Sequence, residues 1–111
     1  MWVDAAHYDR YRTLLSQKPN MYINWKASMY IVSSNQRIYN AFLPAVDFSE
    51  GTVLVGNIGP LTESDSYLLT AGLSLSMELY PIRLKDLRVL DNISFQILQK
   101  AMEMAYLQSL P

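Results

Sequence analysis

The chain has no cysteine, one histidine, four glycines and an unusually small complement of charge. The missing cysteines exclude disulfides, thiolate nucleophiles and thiolate-bound metals, and they suit a reducing compartment, so the cytoplasm is the expected location. A lone imidazole without a tight carboxylate cluster makes a metal site hard to build, and neither a metal nor another cofactor is expected. Apolar runs fall short of the roughly 20 residues a membrane-spanning helix needs. The start, "MWVDAAHYDRYR", places Asp4, Asp9, Arg10 and Arg12 where a signal peptide requires an apolar run. Charged residues make up 17% and the formal charge is −1, which gives no general attraction to phosphate backbones or anionic lipid.

What is present is apolar surface. Half of the 111 residues are hydrophobic, and a chain of this size buries roughly two-thirds of its unfolded surface as one domain. With so few charges to cover the outside, self-association is expected.

The patterning is helical. Asp4 caps a first helix with Ala5, Tyr8, Tyr11 and Leu15 at three- and four-residue spacing, and Pro19-Asn20 ends it. A second helix starts at Asn24 in "NWKASMYIVSS" and is apolar almost all round, as a central core helix would be. Ser33 and Gln36 have capping-box spacing for a short third helix with Ile38, Ala41 and Phe42 on its apolar face, closed by Pro44. Thr62, with Asp65 three places on, opens a fourth helix through "YLLTAGLSLSMELY" toward Pro81, where Gly72 permits close backbone approach. Asp91 caps a last helix to about Gln108 with Ile93, Ile97, Leu98, Ala101, Met104 and Ala105 facing inward. Leu69, Leu73, Ile97 and Ala101 are expected in one core.

Between the third and fourth helices, "VDFSEGTVLVGNIGPLTESDS" carries three of the four glycines. Thr52-Val53-Leu54-Val55 reads as a strand, bounded by a turn at Val46 to Gly51 and by Gly56, Gly59 and Pro60. Such a strand must pair within the chain, face water or pair with a second chain. Ile82 to Val89, with Ile82 and Leu84 alternating with Arg83 and Lys85, is the candidate partner within the chain; a short helical turn is the other reading of that segment. The fold class that follows is mostly α: one compact domain, residues 1–111, of about five helices with one short extended or hairpin element near residues 52–55.

The segments "HYDRYRTLL", "KASMYIVSSNQRIYNAFLPAVDF", "SDSYLLTAGLSL" and "LRVLDNISFQILQKAME" occur in an order that resembles small uncharacterised helical proteins of Gram-positive bacteria and their phages. The resemblance touches most of the chain and implies a mostly helical fold. It brings no activity and no catalytic residues.

Few constellations carry chemistry. His7 has Asp4 one helical turn before it, an arrangement that more often stabilises a helix start than serves a small hydrolase with a loop carboxylate. Asp47, Glu50, Glu63 and Asp65 flank the glycine-containing loop, where turn and helix-start roles account for them. Gly56-Asn57-Ile58-Gly59 lacks the Lys-Ser/Thr of a phosphate loop. Arg83, Lys85 and Arg88, interrupted by Asp86, form the densest basic group, and eight tyrosines could stack on single strands. The tyrosines fall on or beside apolar helix faces, which favours packing, so nucleic acid is the alternative and not the first reading. The expectation is a non-enzymatic interaction or regulatory protein with a protein partner, no catalytic residues and a possible homodimer, with Val53, Val55 and Met102 at the contact.

Overall fold

The computed structural model describes residues 2–77 and 84–108. Five α-helices build it: α1 (Ala5–Ser16), α2 (Ile23–Val32), α3 (Gln36–Phe42), α4 (Glu63–Leu73) and α5 (Asn92–Leu107). Two two-residue strands, β1 (Val46–Asp47) and β2 (Thr52–Val53), form an antiparallel hairpin between α3 and α4. No helix among the described residues is long and apolar enough to cross a membrane.

Helix α2 is the centre. Ala27 to Val32 are all buried, Ala27, Met29 and Ile31 without any exposure, and α1, α3, α4 and α5 all pack on this helix. Leu69 and Leu73 from α4 join Ile97, Leu98, Ala101 and Met104 from α5 in one core with it. Gly72 marks the α2–α4 crossing: a Cβ there would stand 2.8 Å from Ile31 Cδ1 and Cγ2, so only a glycine lets the helices meet at this distance. Beside it the Ser28 hydroxyl donates to the Gly72 carbonyl at 2.8 Å.

Short polar side chains set the helix starts. Asp4, Asn35, Thr62 and Asp91 each accept a hydrogen bond from the backbone N–H three residues on, in His7, Ile38, Asp65 and Ser94. Helix α3 is therefore capped by Asn35, not by Ser33. Ser33 and Ser34 turn back instead, their hydroxyls donating to the Met29 and Ile31 carbonyls at 2.7 and 2.6 Å, which satisfies acceptors at the end of α2. Helix α1 adds two contacts here: His7 Nε2 meets the Tyr30 carbonyl at 2.9 Å and Arg10 Nε donates to the Ser33 carbonyl at 2.8 Å.

Several expectations need correction. The strand is shorter than Thr52 to Val55 and pairs locally, Val46 with Val53 and Asp47 with Thr52. Asp47 makes that turn self-sufficient, its Oδ1 accepting from the Ser49 and Glu50 backbone N–H groups. Of the expected partner Ile82 to Val89, Leu84–Val89 is a 3-10 helix, the helical turn that was the other reading, while Ile82 and Arg83 lie outside the described residues. Helix α2 begins at Ile23, one residue before the expected Asn24. Helix α4 stops at Leu73, where the Ser74, Leu75 and Ser76 N–H groups fold back on the Thr70, Gly72 and Leu73 carbonyls. On α5, Ile93 is 61% exposed; Ser94 takes the inward place at its start.

Candidate interaction surface

Of the expected contact residues, Val53 is half-buried and packs against the core, whereas Val55 is exposed at the start of a 3-10 turn, Val55–Asn57. Its exposed neighbour Leu54 hangs from the Ala45 carbonyl by its backbone N–H, at 2.8 Å. That bond, and packing of the Val55–Asn57 turn on the turn Leu43–Ala45, brings the exposed Leu43 to the same corner. Leu43, Leu54 and Val55 thus form a small apolar knob.

Met102 lies on the solvent side of α5 at 44% exposure. Residues 95, 99, 102 and 106 recur at spacings of four, three and four, which aligns them along one face of a helix. Phe95, Met102 and Tyr106 are all exposed, Tyr106 at 85%, and Gln99 is the polar member. Leu107 adds a further exposed side chain at the end of the helix, at 71%. Only Lys100 and Glu103 carry charge along α5, and they pair loosely with each other at 3.9 Å. Of this stripe, Met102 was expected at a contact, whereas Phe95 and Tyr106 were not. Their alignment with Met102 was available, but α5 has apolar residues on more than half its circumference and only the packing on α2 and α4 decides which go inward.

The other candidate groups are engaged in structure or stand apart. His7 has no exposed surface. The Val3 backbone N–H donates to its Nδ1 at 3.1 Å, so the proton sits on Nε2 and is donated to the Tyr30 carbonyl. Both nitrogens are thus occupied by backbone groups, and Asp4 contacts the His7 amide instead of the ring. Burial pulls the His7 pKa below its ordinary value, the Tyr30 carbonyl opposing that and Arg10 reinforcing it. Two of the four loop carboxylates are engaged elsewhere. Asp65 is buried and held by Arg37 through two contacts of 2.6 and 3.2 Å, while Asp47 caps its own turn, whose hydrogen bonds lower its pKa.

Lys85 and Arg88 are exposed on the 3-10 helix Leu84–Val89, with the half-buried Asp86 between them; Arg83 lies outside the described residues. No cluster of three metal-ligating side chains occurs among the described residues. The chain matches no family model, no curated protein and no solved structure.

Proposed function

We propose that the protein acts by associating with protein chains, without chemistry of its own, and that its first partner is a second copy of itself. The observation that carries this is the outer stripe of α5. Three large side chains, Phe95, Met102 and Tyr106, stand in water on a helix whose inner face is already filled by the core.

The order of the stripe favours self-pairing. Laid antiparallel, two α5 helices set Phe95 of each copy near Tyr106 of the other, with Gln99 and Met102 at the middle. A two-fold contact of this kind uses the same patch twice, as dimers do.

Sedimentation equilibrium of the wild type and of a Met102→Asp, Tyr106→Asp variant tests the reading. Both positions are exposed, so the variant should keep its fold by circular dichroism while its dimer dissociates. A wild type that remains monomeric at high micromolar concentration removes the self-pairing. A dimer indifferent to these changes but broken by Leu54→Asp, Val55→Asp moves the contact to the knob.

A further inference from the structure

A cleft of about 220 Å³ opens where the α1–α2 connection meets the hairpin turn; it is lined by Lys18, Met21, Tyr22, Trp25 and Phe48 together with Asn20 and Gly51. Its volume is below the roughly 300–1,000 Å³ of sites for drug-sized ligands and suits a one-ring molecule. Three aromatic residues from two separate parts of the chain contribute to it. Tyr22 is 81% exposed, although it directly precedes the most buried helix of the protein.

Beside this aromatic surface the lining offers a cation and no carboxylate. Lys18 lines the cleft with its Nζ against Gly51, 3.8 Å from where a Cβ would stand, and it has no carboxylate partner among the described residues. It is the one charged residue in the lining. The wall formed by Tyr22 and Trp25 is the head of α2, and α2 alone among the five α-helices has no side-chain cap. The Ile23, Asn24 and Trp25 amides accordingly have no acceptor among the described residues. An ammonium and the positive end of a helix dipole beside one small aromatic cleft complement a ligand that joins a flat apolar body to a single negative charge.

We propose that this cleft binds a small aromatic carboxylate, its ring among Tyr22, Trp25 and Phe48 and its carboxylate between Lys18 and the head of α2. This site is separate from the α5 stripe and does not depend on it. A bare anion would leave the aromatic walls unused, and a neutral ring would leave the ammonium and amides unused.

Phenylacetate, 2-phenylethanol and acetate, titrated into the ¹⁵N-labelled full chain and followed by two-dimensional NMR, separate these contributions. Phenylacetate should saturably shift the Trp25 indole N–H and the Ile23, Asn24 and Trp25 amides in the millimolar range. The neutral alcohol and acetate should each bind at least about tenfold more weakly, the expected loss when a charge-assisted contact or the ring is removed. Lys18 is exposed, so Lys18→Met should preserve the dispersed spectrum and reduce phenylacetate to the level of the alcohol. Absence of these shifts at tens of millimolar overturns the proposal. So does equal binding of acid and alcohol, equal binding of phenylacetate and acetate, or an acid affinity untouched by Lys18→Met.

Discussion

Two buried side chains on α1 show opposite ways of placing a polar group in a core. His7 satisfies both ring nitrogens with backbone, but only while neutral: a proton on Nδ1 would face the Val3 N–H that now donates to it. Burial disfavours the charged ring, so the folded chain binds this proton less tightly than the unfolded chain. Stability is then unaffected well above the ordinary value of 6.5 and falls as the pH drops through it. Urea midpoints from about pH 7 to about pH 5 should decline for the wild type, and the slope should flatten in His7→Gln. An unchanged slope would assign the pH dependence to other groups. Tyr11 is the contrary case. Its hydroxyl is buried with no hydrogen-bond partner, and burial pushes its pKa up to about 12. Tyr11→Phe removes a desolvated group that gains nothing in return, while the ring keeps its contacts with Trp2 and Tyr30. Chemical denaturation should show a gain of about 1 kcal/mol; a comparable loss would mean that the hydroxyl is satisfied in solution.

At the scale of elements, local chemistry was legible in the sequence and partnership was not. Asp4, Thr62 and Asp91 each cap the helix they were assigned, because a short acceptor beside an apolar repeat has one favourable use there. Asn35 displaced Ser33 because three acceptor residues stand in a row and the unsatisfied carbonyls of α2 claim the two serines. The strand's partner was missed because Asp47 lets a tight turn close where the residues alone read only as a bounding loop. Of the site, Val55 and Met102 were found on the surface, whereas Val53 is drawn partly inward and the aromatic cleft arises from residues that meet only in the fold. The α2–α4 crossing permits a sharper test of what was read. Alanine is better than glycine in a helix by about 1 kcal/mol, yet at position 72 its Cβ would meet Ile31 Cβ at 2.9 Å, an atom that cannot swing aside. Overpacking costs typically about 1–3 kcal/mol, so Gly72→Ala should destabilise in thermal or urea unfolding. Placed in an Ile31→Ala background the same change should cost less, since the two positions share one contact. A stabilising Gly72→Ala in the wild type would mean that the helices separate freely.

For the molecule as a whole, charge and topology govern behaviour. The basic group is diluted by Asp86 in a chain of net charge −1, so its field is shallow. Fluorescence anisotropy with labelled single- and double-stranded DNA should detect no appreciable binding at physiological salt. A submicromolar affinity that vanishes in the Arg83→Ala, Lys85→Ala, Arg88→Ala variant would reverse the order of the two functional readings. Topology acts earlier in the life of the chain. The most buried helix, α2, packs most extensively on α5, the last described helix in chain order. At about 5–20 residues per second, synthesis delivers α5 several seconds after the residues of α2. Over that interval the apolar surface of Ala27 to Val32 has no covering from its main neighbour, so the nascent chain passes through a window in which a chaperone can hold it, and its core closes late, when α5 arrives.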